Sequence, residues 1–310
     1  MFSASRRTQV LGLLAVVIIA AGAVVLELSA GGSSGPSYYL ALGDSLSVGI
    51  QPTAQGQQLI TEQGYVTDLY AHYAAEIPQL KLKELGCPGD DTGNVISGQG
   101  NAAAAKVYHC DRDGGSQLNA AVAFIRAHAG HVKLISIDIG TNDVSDCLDP
   151  AVYEHGLKYT IACITHGEQS IAVNLPKILA VLKRAAAPGT ELVGGDIYDP
   201  FLAGLLTRNK LVDMISTQSV RLITKVNAEI AYADASAGFR TADVADAFFT
   251  YDGSKVRAPA DGGTVPRDLV VLCSYTWVCA KAPRGPNIHP NPTGYSVMAR
   301  AFEQVLPKTL

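Results

Sequence analysis

Tyr38-Tyr39-Leu40-Ala41-Leu42-Gly43-Asp44-Ser45-Leu46-Ser47 is the stretch whose reading decides the fold. Its first five residues are aromatic or aliphatic and uncharged, as in a strand buried on both faces. Gly, Asp and Ser then supply the residue types that turn a chain sharply. A strand that breaks this way presents the Ser45 hydroxyl at its mouth, where the chain enters a helix. Its counterpart lies near the other terminus, in Asn287-Ile288-His289-Pro290-Asn291. A histidine that folds back from far away onto a serine hydroxyl makes a nucleophile–base pair. The G-x-S-x-G elbow is missed, because Ser47 stands where its last glycine belongs.

Working outward, strand-like runs recur at Leu80–Leu85, Val132–Ile139, Glu191–Tyr198 and Phe239–Val244. Tyr65, Leu69, Tyr73 and Ile77 repeat at four-residue spacing, as on one face of a helix. Leu118 to His128, Leu175 to Ala187 and Val220 to Ala237 are rich in the alanine and leucine that helices prefer. Thr293 to Val305 follows Pro290 and Pro292, which suit a helix start. Strands alternating with helices predict an α/β protein with a parallel sheet covered on both faces. In such sheets ligands bind beyond the carboxyl ends of the strands, where Ser45 and Asn142 fall. Residues 86–114, 143–170 and 245–290 read as three long loops, a length that compact domains keep mainly for functional segments.

Two further blocks lie between Ser45 and His289. Gly86-Cys87-Pro88-Gly89 opens a glycine-rich loop, and Gly140-Thr141-Asn142-Asp143 closes the run Val132–Ile139. With these blocks the sequence resembles the SGNH (GDSL) hydrolase family, whose four blocks supply Ser, Gly, Asn and His in that order. Within it, the cysteine-bearing loops and the Asn287-to-Tyr295 ending look most like the secreted actinobacterial lipases and esterases. The resemblance runs from Ser45 to Gly294 and implies a three-layer α/β/α, flavodoxin-like fold. It implies that Ser45 attacks an acyl carbonyl and that His289 takes its proton. It also implies an oxyanion hole built from the main-chain N–H groups of Ser45 and Gly89 and the side-chain amide of Asn142. Gly89 makes physical sense there, since a residue without a side chain lets the backbone approach a substrate.

One departure from the family stands out. The usual Asp-x-x-His is absent, with Pro286 three residues before His289 and Asn287 two before it. Some relatives orient the histidine with a main-chain carbonyl, so the resemblance implies a Ser–His dyad oriented by the backbone at Pro286 or Asn287. Asp44 and Asp143 are expected to organise turns. Asp111-Arg112-Asp113-Gly114 lacks the remaining ligands of a calcium loop and reads as a solvated turn. Trp277, the single tryptophan, is read either as a wall of the substrate pocket or as core. No cofactor and no metal are expected, since no Cys-x-x-Cys or comparable ligand spacing occurs.

The 310-residue chain is 48 % hydrophobic and 17 % charged, enough for one large core. Its net charge of −4, without a basic stripe, excludes a nucleic-acid binder. Arg6 and Arg7 precede the uncharged run Val10 to Leu26, and Gly31 to Ser37 reads as a flexible linker. Positive residues ahead of an apolar run send the following chain outward. Residues 1–36 are therefore expected to be a signal peptide, or an anchor tethered through residues 10–26, ahead of one catalytic domain at 37–310.

Cys87, Cys110, Cys147, Cys163, Cys273 and Cys279 all fall in that exported part. Six cysteines allow 15 pairings. Their clustering makes Cys87–Cys110, Cys147–Cys163 and Cys273–Cys279 the simplest set. The functional expectation is an exported, monomeric serine esterase or lipase acting on small-molecule or lipid esters. A carbohydrate O-acetylesterase and a catalytically silent cell-surface binding protein are the alternatives.

Overall fold

The apolar runs form a single parallel sheet. Its strands are β1 (Ser37–Gly43), β2 (Leu80–Glu84), β3 (Val132–Asp138), β4 (Glu191–Gly195) and β5 (Arg240–Ala242), in the order β2-β1-β3-β4-β5. Every neighbouring pair is parallel. This is the flavodoxin-like order, in which the chain reverses its direction of winding between β1 and β3. The computed structural model describes residues 35–100, 106–110, 113–148, 152, 154–206, 209–257 and 263–310. The expected leader, with residues 10–26, and the Asp111-Arg112 pair lie outside the described residues.

Alternation along β1 explains why helices cover both faces. Tyr39 and Ala41 pack with Tyr65 and Leu69 of α1 (Tyr65–Ala74) and with Met298 and Phe302 of α5 (Pro292–Val305). Leu40 and Leu42 point the other way. They join Leu118 and Ile125 of α2 (Gln117–Ala127), Ile178 of α3 (Leu157–Ala185) and Ile230 of α4 (Ser219–Ala237). Leu40 and Leu42 are both fully buried, which is worth roughly 1.5–3 kcal/mol for each side chain. Two polar pairs lie inside the sheet: Tyr39 Oη lies 2.7 Å from Ser136 Oγ, and Tyr65 Oη donates to Asp138 Oδ1 at 2.9 Å, while Asp138 Oδ2 is buried without a partner.

The caps follow from the residues at the helix starts. Ser116 accepts from the N–H of Asn119 at the start of α2, and Asn291 accepts from the N–H of Gly294 ahead of Pro292 in α5. The long loops expected from the sequence hold more structure than predicted. The second half of 143–170 is the first half of α3, which continues through Pro176. Gly167 and Pro176 hid this helix from the sequence reading, yet Gly167 is there for packing. A Cβ on it would lie 2.0 Å from the Asp143 carbonyl oxygen, so the glycine lets α3 close on the Asn142 segment. The 245–290 stretch contains a hairpin of Lys255–Arg257 with Thr264–Pro266, a helix at Arg267–Tyr275 and a bridge from Thr276–Trp277 to Asn287–Pro290. Within 86–114 lies a short helix, Thr92–Ser97.

Disulfides join Cys87 to Cys110, Cys147 to Cys163 and Cys273 to Cys279, the neighbour pairing expected above. Among the described residues no helix is long and apolar enough to cross a membrane.

Candidate active site

Four strand ends converge on one cleft of about 750 Å³, lined by Ser45 after β1, Gly89 after β2, Asn142 after β3 and Tyr198 after β4. His289 enters from the far end of the chain, on the strand-like segment Asn287–Pro290. The cleft sits where the winding of the sheet reverses, as expected for a ligand site in this topology.

Ser45 leaves β1 through Gly43, whose φ of 145° few other residues adopt. A side chain at Gly43 would also collide with its sheet neighbour, since a Cβ there lies 2.1 Å from Asp138 Oδ1. Asp44 then organises the turn, its Oδ1 accepting the N–H of Leu46 at 2.9 Å. Ser45 Oγ stands 2.8 Å from His289 Nε2, within reach for direct proton transfer.

The other ring nitrogen, Nδ1, lies 2.8 Å from Asn287 Oδ1. Here the geometry corrects the sequence expectation. The histidine's partner is the side-chain oxygen of Asn287, and neither Pro286 nor Asn287 offers it a main-chain carbonyl. The physical reason is local. Asn287 Oδ1 also accepts the main-chain N–H of His289 at 2.9 Å, which folds the side chain back towards the ring two residues on. Burial lowers the pKa of His289 to about 4, with no acidic neighbour to support the charged imidazolium. The ring is therefore neutral through the physiological range and able to act as a base.

Gly89 has a φ of 83°, and a Cβ on it would meet nothing within 4 Å. The positive φ favours glycine, and the protein leaves the space beside it open. The main-chain N–H groups of Ser45 and Gly89 have no hydrogen-bond partner among the described residues, which leaves both available to a ligand. Asn142 is different. Its Nδ2 donates to the Asp90 carbonyl oxygen at 2.8 Å and to Asp44 Oδ2 at 3.2 Å, so both of its protons are engaged. Donation to an oxyanion requires the longer contact, to Asp44, to yield. Asp143 holds the neighbouring loop by accepting from the N–H of Thr92 at 2.9 Å and from its hydroxyl at 2.6 Å.

Two residues that sequence reasoning missed tie these loops together. Gln117, fully buried at the first turn of α2, accepts the N–H of Gly43 at 2.8 Å. Its Nε2 donates to the Gly43 carbonyl at 3.0 Å and to Asp90 Oδ2 at 3.2 Å. Tyr198 donates its hydroxyl to the carbonyl of Ile288 at 2.7 Å, bracing the histidine segment. Neither carries a local signal, for their partners are 74, 27 and 90 residues away. Trp277 does not line the cleft; its indole N–H donates to Gln51 at 3.3 Å and Arg284 lies over its ring at 5.0 Å.

Beneath the site, burial pushes the carboxyl of Asp44 up to about 7, and Asp90 and Asp143 add repulsion. Asp138 is raised for the same first reason, with Asp44 adding to it. No positive side chain balances this group in the cleft lining. Among the described residues, no cluster of His, Cys and carboxylate side chains is placed to hold a metal ion.

Similarity to known proteins agrees with this geometry. No curated protein sequence matches the chain. Among solved structures, the extracellular lipase from Streptomyces rimosus shares 20 % identity at a TM-score of 0.55, over 87 % of this chain and all of the other. Phospholipase A1 from Streptomyces albidoflavus NA297 shares 21 % identity at a TM-score of 0.55, over 88 % of this chain and all of that one. At such identities they share the fold. Residues 41–297 match the model of the GDSL-like lipase/acylhydrolase family, a span that contains all four blocks, and the chain belongs to that family of ester hydrolases.

Proposed function

We propose that the protein is an exported serine esterase that cleaves carboxylic esters through an acyl-enzyme on Ser45, with His289 as general base. The observation that carries this reading is the 2.8 Å contact between Ser45 Oγ and His289 Nε2 at the floor of the cleft. Ser45 Oγ attacks the ester carbonyl as its proton passes to Nε2, and the carbonyl oxygen becomes an oxyanion. The free N–H groups of Ser45 and Gly89 receive that charge, joined by Asn142 as its contact with Asp44 yields. Collapse of the tetrahedral intermediate expels the alcohol, which takes the proton from His289. Water then enters, loses a proton to the same nitrogen, and releases the acid from Ser45.

The substrate class rests on the walls. Leu46, Ile50, Phe201, Val212 and Val278 give the cleft a broad apolar face, suited to an acyl chain longer than acetyl. Three disulfides support an extracytoplasmic location, reached through the Arg6-Arg7 and Val10–Leu26 leader. The test is a series of p-nitrophenyl esters of increasing chain length run beside acetylated xylo-oligosaccharides. Rising kcat/KM from two to eight or so carbons supports the acyl-chain reading. A clear preference for the acetylated sugars assigns a carbohydrate O-acetylesterase instead. Ser45→Ala with undiminished activity would sink the mechanism altogether.

A further inference from the structure

We propose that the side-chain amide of Asn287 is the positioning residue of the catalytic histidine, a neutral third member in place of the family's aspartate. The inference rests on the Ser45–His289 reading above and adds to it the element that sets the tautomer of the base.

Hydrogen-bond polarity fixes how the amide faces the ring. An asparagine amide can present either its oxygen or its NH₂ to a ring nitrogen, and the wrong choice would fix the wrong tautomer. Here a second contact removes the choice. Asn287 Oδ1 lies 2.9 Å from the main-chain nitrogen of His289, which can only donate. Turning the amide over would set an NH₂ against that N–H, two donors face to face in a part-buried loop, so the oxygen stays where it is. The same oxygen is 2.8 Å from Nδ1, which must therefore carry the ring proton. Nε2 is left with its lone pair directed at Ser45 Oγ. The backbone of residue 289 thus selects the tautomer of its own side chain by way of Asn287.

The segment that presents Asn287 is itself held. Asn287 pairs with Trp277, and Thr276 pairs with Pro290, in an antiparallel bridge. Tyr198 anchors Ile288 between the two functional side chains. These contacts keep the oxygen in place without a formal charge.

The lack of charge has a consequence of its own. A carboxylate would stabilise the imidazolium and raise the histidine's pKa; an amide does so far less. Burial already lowers it to about 4. The other ionisable groups lining the cleft are Asp44, Tyr108, Asp146 and Tyr198, and none of them is hydrogen-bonded to His289. From its own segment the nearest charged residue in sequence is Arg284, which lies over Trp277.

The experiment compares Asn287→Ala and Asn287→Asp with the natural enzyme on a soluble short-chain ester, with folding followed by circular dichroism. Asn287→Ala should lower kcat about 10²-fold and leave KM within about threefold, since the base is disoriented but the cleft is not. Asn287→Asp keeps both acceptor contacts and should stay active, with the acid limb of kcat/KM moved up by about one to two pH units by its charge. The aspartate variant also serves if the alanine variant fails to fold. Asn287→Ala with kcat within about threefold of the natural enzyme would overturn the proposal, as would an Asn287→Asp acid limb that does not move. Ser45→Ala, run alongside, tests the nucleophile separately: its activity would refute the underlying mechanism whatever Asn287 does.

Discussion

Replacing Gln117 by leucine tests how strongly the two loops of the proposed oxyanion hole depend on one buried amide. The natural side chain makes three hydrogen bonds, two to the backbone of Gly43 and one to Asp90. Leucine fills similar volume and makes none. The Gly43 carbonyl keeps a donor, because the N–H of Cys87 also reaches it at 3.1 Å. The Gly43 N–H has no such second partner, and leaving it unpaired costs about 1–3 kcal/mol. Losing the donor to Asp90 adds about 1 kcal/mol, for a total of roughly 2–4 kcal/mol. Gly43 lies two residues before Ser45, and Asp90 follows Gly89, so the same loss frees the nucleophile turn and the Gly89 loop to drift apart. A displacement of about 1 Å between reacting groups costs on the order of 10²-fold in rate. Urea unfolding and steady-state hydrolysis of a short p-nitrophenyl ester measure the two effects. Gln117→Leu should unfold at a lower urea midpoint and lose about ten- to a hundredfold in kcat. Gln117→Glu keeps the acceptor for the Gly43 N–H but sets a carboxylate oxygen against the Gly43 carbonyl and Asp90 Oδ2, so it should not restore natural stability at neutral pH. A leucine variant with natural stability and natural kcat would show that the clamp is not what spaces the Ser45 and Gly89 loops.

Other outcomes follow from the same contacts. Tyr198→Phe deletes the hydroxyl that holds Ile288 at 2.7 Å, while the ring stack with Phe248 at 4.5 Å remains. We expect a loss of about 1–2 kcal/mol and a several-fold fall in kcat, and a variant unchanged in both would deny the brace. Burial raises Glu84, Asp196 and Asp234 to about 7, above their unfolded values, so their contribution to stability is full below about pH 4 and is lost as pH rises towards 7. His289 acts oppositely: its lowered pKa takes stability away as pH falls from 6.5 towards 4. Three carboxyls outweigh one histidine, so thermal melting should be higher near pH 4 than at pH 8; a midpoint that climbs steadily to pH 8 would contradict these environments. Removing Cys147–Cys163 by a double serine substitution opens a loop of sequence separation 16, which should cost about 2–4 kcal/mol in urea unfolding. An unchanged midpoint would mean that the bridge adds nothing.

Features that depend on residues close in sequence were legible there. The uncharged run Tyr38–Leu42 followed by Gly43-Asp44-Ser45 announces a buried strand and its turn, and the structure contains both. The proline-flanked start of α5 and the pairing of neighbouring cysteines are equally local. What escaped depends on distance or on competing signals. The first half of α3 reads as loop in the sequence because Gly167 and Pro176 break the helical pattern, although the glycine is required by the close approach of Asp143. Gln117 and Tyr198 look like ordinary helix and strand-end residues until the fold brings Gly43, Asp90 and Ile288 to them. Asn287 was the subtler case. The missing aspartate was visible, but which of its atoms faces the ring depends on the turn that His289 closes on it.

The most direct measurement is the site of covalent modification by a fluorophosphonate, an agent that needs both an activated serine and donors for the phosphoryl oxygen. Peptide mass spectrometry of the labelled protein should find one adduct, on Ser45, formed quickly in the natural enzyme and on the order of 10³-fold or more slowly in folded His289→Ala. An adduct on another serine with Ser45 unmodified, or labelling of His289→Ala at the natural rate, would contradict the Ser45–His289 mechanism.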